Sequence, residues 1–148
     1  MPLRGIMTYF DLTEFLPYQL AVAAERVSRA FAEIYRQEFG LSIPEWRVLA
    51  HLNQSGAVSV RDIEARVGME KSKVSRAVSR LERSGYVGKQ INDGDRRLLS
   101  LSLTPEGRAL VARILPRALE FQAGLVAQLG PLAGPLSAAL QLVSADRA

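Results

Sequence analysis

Once along this chain the spacing of apolar residues falls from the three- and four-residue steps of helices to strict alternation. Val87, Lys89 and Ile91 alternate with Tyr86, Gly88 and Gln90, and Asn92-Asp93-Gly94-Asp95 follows. Leu99, Leu101 and Leu103 then alternate with Ser100 and Ser102. Period two on both sides of an Asp-Gly turn specifies a β-hairpin. The rest of the 148 residues reads as helix or turn. The fold class is therefore mainly α, with one two-stranded hairpin.

Where that hairpin sits gives it meaning. A first helix is expected from about Phe15 to Phe39, with Leu16, Leu20, Ala23, Val27, Ala30 and Ile34 on one stripe, Pro17 in its first turn and Gly40 as a left-handed cap. Ser42 and Glu45 have the spacing of a capping box, and Leu41 and Trp46 that of a hydrophobic staple. Trp46, Val48, Leu49 and Leu52 then mark the core face of a second helix, broken at Asn53-Gln54-Ser55-Gly56. A short third helix opens at Ser59-Val60-Arg61-Asp62, turns Ile63 and Val67 inward and stops at Gly68. A fourth runs from near Glu70 to Ser84, with Gly85 as its stop. A short helix, a tight turn and a second helix make a helix-turn-helix, and a hairpin directly after it is a wing. Thr104-Pro105-Glu106 caps another helix that continues through Leu110, Ile114, Leu119, Leu125 and Leu129. Pro116 is expected to kink or split it. Gly130-Pro131 and Gly134-Pro135 precede a last apolar run, Leu136 to Val143.

Composition removes most chemistry. With no Cys and a single His, His51, the chain has no disulfide framework, thiolate zinc site, thiol switch or His-pair metal motif. GxxxxGK[ST] does not occur, and the acidic pairs fall at caps and turns. The expectation is a protein that is no enzyme and carries no cofactor or metal. No stretch approaches the roughly 20 uninterrupted apolar residues of a membrane span, and MPLRGIMTYFDLTEF lacks the apolar region of a signal peptide. A cytoplasmic location without a membrane partner is expected.

Charge is more informative than its total. Between Lys71 and Arg97 there are eight basic residues and three acidic ones, net +5, while the whole chain carries +4. On the fourth helix Val74, Ala77, Val78 and Leu81 form the inward stripe. Ser72, Lys73, Ser75, Arg76, Ser79 and Arg80 form the opposite face, beside Lys71. No acid occurs between Lys71 and Glu82, whereas an ordinary solvated helix interleaves Glu with its cations. Small hydroxyls allow close approach to a backbone, and Arg grips guanine O6 and N7 bidentately. At the hairpin tip Arg96 and Arg97 stand beside Asp95, which is read as positioning a guanidinium for a minor groove. This face is the footprint of a double-stranded-DNA binder. A winged-helix module that binds protein would keep the fold and lose the uninterrupted basic face; this is the alternative reading.

The runs SIPEWRVLAHL and VSVRDIEARVGMEKSKVSRAVSRLERSGYV, the DGDRR turn and LSLTPEG resemble the MarR family of bacterial transcriptional regulators. The most specific elements are KSKVSR and the Asp-x-Arg pair at Asp95 and Arg97; in the last forty residues GPLAGPL departs from the family's usual helix start. The resemblance implies a winged helix-turn-helix homodimer. Residues 1–40 and 105–148 would form an intertwined dimerisation domain, and 41–104 the DNA-binding domain. It places base-edge contacts at Ser75, Arg76 and their neighbours and a minor-groove contact at Arg97; for a DNA binder, Lys71, Lys73, Arg80 and Lys89 are the expected phosphate contacts. It also implies repression from a pseudo-palindromic operator with half-sites roughly 10 base pairs apart, and release by a small aromatic effector. Trp46 and His51 are the candidates to line an effector pocket, each weighed against a packing role. Tyr9, Phe10, Phe15 and Tyr18 are read as dimer packing.

Overall fold

The computed structural model describes residues 9–91 and 99–145. A 3-10 turn, Leu12–Glu14, precedes the first helix and is capped by the Asp11 carboxylate, which accepts from the Thr13 N–H at 3.0 Å. Helix α1 spans Leu16–Phe39 and ends at Gly40, whose φ of 69° lets its N–H turn back to the Arg36 carbonyl. Helix α2, Ile43–Ser55, opens with both arms of the expected capping box. Ser42 Oγ accepts from the Glu45 N–H at 3.3 Å, and the Ser42 N–H donates to Glu45 Oε1 at 3.1 Å.

Strand β1 (Val58–Ser59), helix α3 (Val60–Val67) and helix α4 (Lys71–Arg83) follow, then strands β2 (Val87–Ile91) and β3 (Leu99–Leu103). The sheet is antiparallel with order β1-β3-β2. Val87 faces Leu103 and Ile91 faces Leu99, as the alternation requires, while Val58 faces Leu101 and Ser59 faces Ser100. The two-stranded wing is thus completed by a third strand. Two residues are too few to show a period, so β1 leaves no signal in the sequence.

One core joins these elements. Tyr35 of α1, Val48, Leu49 and Leu52 of α2, Ile63, Val74, Leu81, Leu101, and Val111 and Ile114 of helix α5 (Pro105–Leu129) are almost completely buried. The last turns of α1 and the first turns of α5 therefore pack with the middle of the chain. Thr104 fastens α5 to the exit of α4. Its hydroxyl donates to the Gly85 carbonyl and accepts from the Gly107 N–H, and its own N–H donates to the Tyr86 carbonyl at 3.0 Å. Farther along, Arg117 Nε donates to Glu38 Oε2 at 2.8 Å, tying α5 to the end of α1, and one turn earlier the Arg113 guanidinium lies over the Phe39 ring.

The α1 stripe read from the sequence behaves differently. Leu16 is 68% exposed, and Leu20 and Val27 are exposed too, because α1 buries Ala32 and Tyr35 instead. Helix α5 passes through Pro116 without splitting. Pro116 and Ala112, whose carbonyl loses a donor there, are both exposed, so the orphaned oxygen is open to solvent. The interruption comes instead at Gly130-Pro131, in a 3-10 turn (Gly130–Leu132) before helix α6, Ala133–Ser144. Gln122, Gln128, Ser137 and Gln141 interrupt the apolar residues of this region, yet residues 121–144 carry no Asp, Glu, Lys or Arg. An 18-residue window within Pro105–Ser144 reaches a mean hydropathy of 1.3, enough to cross a membrane by length and composition alone. Along Pro105–Ser144, Leu115, Leu119, Val126, Leu132, Leu136 and Leu140 are exposed.

Candidate nucleic-acid interface

Helix α4 divides as its sequence predicts. Val74, Ala77, Val78 and Leu81 are buried, while Lys71, Ser72, Lys73, Ser75, Arg76, Ser79 and Arg80 are exposed. Packing against α2 and α3 holds the buried side, so the hydroxyl-and-cation face has a fixed orientation. Glu70 stands at the N-cap without capping the backbone; its carboxylate instead accepts from Ser72 Oγ at 2.7 Å. On the wing, Lys89 projects from β2. Asp95, Arg96 and Arg97 lie outside the described residues.

The cations are not equivalent. Lys71 Nζ lies 3.7 Å from Glu64 of α3, Arg80 Nε 3.6 Å from Glu45 of α2, and Lys89 Nζ 3.5 Å from Glu82 at the end of α4. Among the described residues Lys73 and Arg76 form no ion pair. The acid-free run of the sequence is therefore partly answered in space by carboxylates from neighbouring elements. Only Glu45 left a trace in the sequence, because the capping box fixes where its carboxylate goes.

Trp46 is half-buried in an aromatic cluster. Its ring meets Phe31 edge-on at 5.4 Å and lies 5.8 Å from Tyr35, while Phe121 of α5 reaches Phe31 at 5.2 Å. Burial pushes the Tyr35 hydroxyl up to about 12, against the opposing pull of Arg47 and Arg36. His51 is partly buried, and desolvation, with Arg66 and Arg47 nearby, lowers its pKa below the ordinary 6.5. Neither Trp46 nor His51 lines the cleft of about 660 Å³ that opens between α1 and α4. Arg29, Glu33, Arg36, Leu41, Met69 and Lys73 do, with Arg36 paired to Glu33 and Arg29 to Glu25, a mixed set that periodicity alone could not assemble. A second groove, about 380 Å³, lies between α1 and α5 beside Val27, Ala30 and Phe121. Among the described residues no group of acids and His is placed to hold a metal.

Known proteins share this arrangement. The profile of the MarR family matches residues 39–98, from the last residue of α1 to the residue before β3. The HTH-type transcriptional regulator TtmR of Methylorubrum extorquens is 29% identical over 131 residues, covering 84% of this chain and 67% of that protein. A crystal structure of a MarR family transcriptional regulator from Silicibacter pomeroyi superposes with a TM-score of 0.76 at 30% identity, covering 89% of this chain and 87% of that one. Bordetella bronchiseptica BpsR, whose DNA binding is regulated by 6-hydroxynicotinic acid, shares the fold at a TM-score of 0.79 and 24% identity, over 93% of this chain and 99% of its own.

Proposed function

Because this chain belongs to the MarR family of DNA-binding transcriptional regulators, we propose that it acts as a cytoplasmic homodimer on a pseudo-palindromic operator, as a repressor and with no enzymatic role. The observation that carries the reading is the two-sidedness of α4. Its apolar residues are sealed in the core while Ser75, Arg76 and Lys73 stand clear of it. An α-helix presenting such a face fits a major groove, where Ser75 and Arg76 meet base edges. Ser72 and Ser79 flank them. Lys71, Lys73 and Lys89 supply salt-dependent phosphate contacts, Lys71 and Lys89 by exchanging a carboxylate for a phosphate, while Arg80 stands beside them, 3.6 Å from Glu45. We propose a minor-groove contact at Arg97, with Asp95 and Arg96 as its sequence neighbours.

The dimerisation domain is formed by residues 1–40 and 105–148 around the DNA-binding part, 41–104. Exposed Leu16, Leu20 and Val27 on α1, with Leu119 and Leu136 on α5 and α6, support this reading. Left in water they would forgo about 25 cal/mol per Å² of apolar area, and a second copy covers them. A small aromatic effector is proposed for this cleft, where Lys73 has no ion pair among the described residues while Arg29 and Arg36 pair with Glu25 and Glu33, and BpsR, which shares the fold, responds to 6-hydroxynicotinic acid. Occupancy would shift the dimer only through a difference in affinity between its DNA-competent and incompetent arrangements.

Selection of bound duplexes from a random pool, followed by titration at two salt concentrations, tests the proposal. The expected result is an inverted repeat bound by two chains. Binding to no duplex even at low salt would leave the winged-helix protein-binding module as the better reading.

A further inference from the structure

Glu45 is engaged in two ways at once. Its Oε1 accepts from the Ser42 N–H at 3.1 Å and the Ser42 hydroxyl at 2.7 Å, and the same oxygen lies 3.6 Å from Arg80 Nε on α4. A Gln carbonyl could accept the same two bonds, while the carboxylate adds a charge that favours the helix N-terminus and also faces Arg80. Among the acids paired with the α4 and wing cations, Glu45 is held hardest. Its side chain is 13% exposed and pinned by two donors, whereas that of Glu64, 17% exposed, meets only Lys71 among the described residues, and that of Glu82 is 41% exposed. A pinned carboxylate cannot swing aside when a phosphate arrives. It keeps attracting Arg80 and repels the phosphate.

We infer that Glu45 is a positioning residue for DNA recognition: by holding Arg80 it removes one cation from the sequence-independent contact with the phosphate backbone. Binding then rests more heavily on Lys73 and Arg76. Non-specific affinity comes almost entirely from displaced counterions, whereas selectivity is the ratio of specific to non-specific binding. Suppressing a contact that every sequence offers raises that ratio. The inference rests on the DNA-contact reading of α4.

Glu45→Gln, Arg80→Ala and their combination test it, with full-length chains titrated across salt concentration. The probes are a fixed-sequence duplex lacking an inverted repeat and a duplex selected by the wild type. Glu45→Gln is expected to steepen the dependence of log K on log salt on the first duplex by about 0.9 per protomer, an eightfold gain for each tenfold dilution of salt. Selectivity falls, and thermal melting stays near wild type because the cap survives. Adding Arg80→Ala restores the wild-type slope, while Arg80→Ala alone moves the slope by less. An unchanged slope in Glu45→Gln, or a steepening that persists in the double variant, overturns the inference while leaving DNA binding intact. If Glu45→Gln does not fold, loss of the full 0.9 in Arg80→Ala alone overturns it equally. A wild-type chain that binds neither duplex at any salt overturns the DNA-contact reading itself, and this inference with it.

Discussion

A methyl group on Gly107 would sit 2.0 Å from the carbonyl oxygen of Tyr86. That oxygen already accepts the Thr104 N–H at 3.0 Å, and Leu103 closes the other side at 3.3 Å. Backbone, which cannot rotate away, forms the obstacle. Gly107→Ala should therefore force α5 off the exit of α4 and cost about 2–4 kcal/mol of folding stability. A chemical denaturation midpoint indistinguishable from wild type would show that the approach is looser than described.

The recognition face makes a separable pair of expectations. Arg76→Ala should lower operator affinity by about 1–3 kcal/mol and relax preference at one base pair of each half-site. Lys73→Ala should weaken all duplexes alike and flatten the salt dependence by about 1. Titration of both variants against matched and singly altered duplexes reads the difference. Equal loss of sequence preference in the two would remove the division into base reader and phosphate contact.

Association has its own test in Leu119, which is 68% exposed in the protomer and so has little part in its folding. Leu119→Glu places a charge where a second copy is proposed to pack. Sedimentation in detergent-free buffer should report twice the 16.2 kDa protomer mass for wild type and a monomer for the variant, with melting of the protomer little changed. A wild-type monomer would leave the apolar surface of α5 and α6 to another partner, a membrane included.

His51 gives stability a pH dependence of defined sign. Its folded pKa lies below the ordinary 6.5, chiefly through burial and then through Arg66 and Arg47, so the unfolded chain takes up a proton first. Stability attributable to His51 is whole above 6.5 and declines as pH falls below it, until the folded group is protonated as well. His51→Gln should flatten the melting temperature between neutral and mildly acidic pH. A wild-type profile that rises on acidification through this range would contradict the assignment.

What the sequence made legible was local. The capping box needs three residues of context, and the alternation in β2 and β3 needs five, so both stand where the pattern puts them. The inward stripe of α4 is legible for the same reason. What escaped was set by distant neighbours. Heptad-like spacing showed that α1 has an apolar stripe and gave no sign that Ala32 and Tyr35 would take the core instead. The acids opposite Lys71 and Arg80 come from α3 and α2, beyond the reach of a count along α4. Trp46 is spent on Phe31 and Tyr35, contacts that only the packing of α1 on α2 creates. Pro116 was weighed as a helix breaker, but its exposure decides otherwise.

The hydroxyl of Thr104 grips Gly85 on one side and the first turn of α5 on the other, joining the exit of α4 directly to the start of α5. The two helices meet at a stiff elbow. With α5 about 37 Å long at 1.5 Å per residue, a tilt of a few degrees at its far end must carry the tip of α4 with it. In a pair of chains related by a two-fold axis, the gap between the two tips is thus written into this elbow, and the pitch of the double helix decides which gap is accepted.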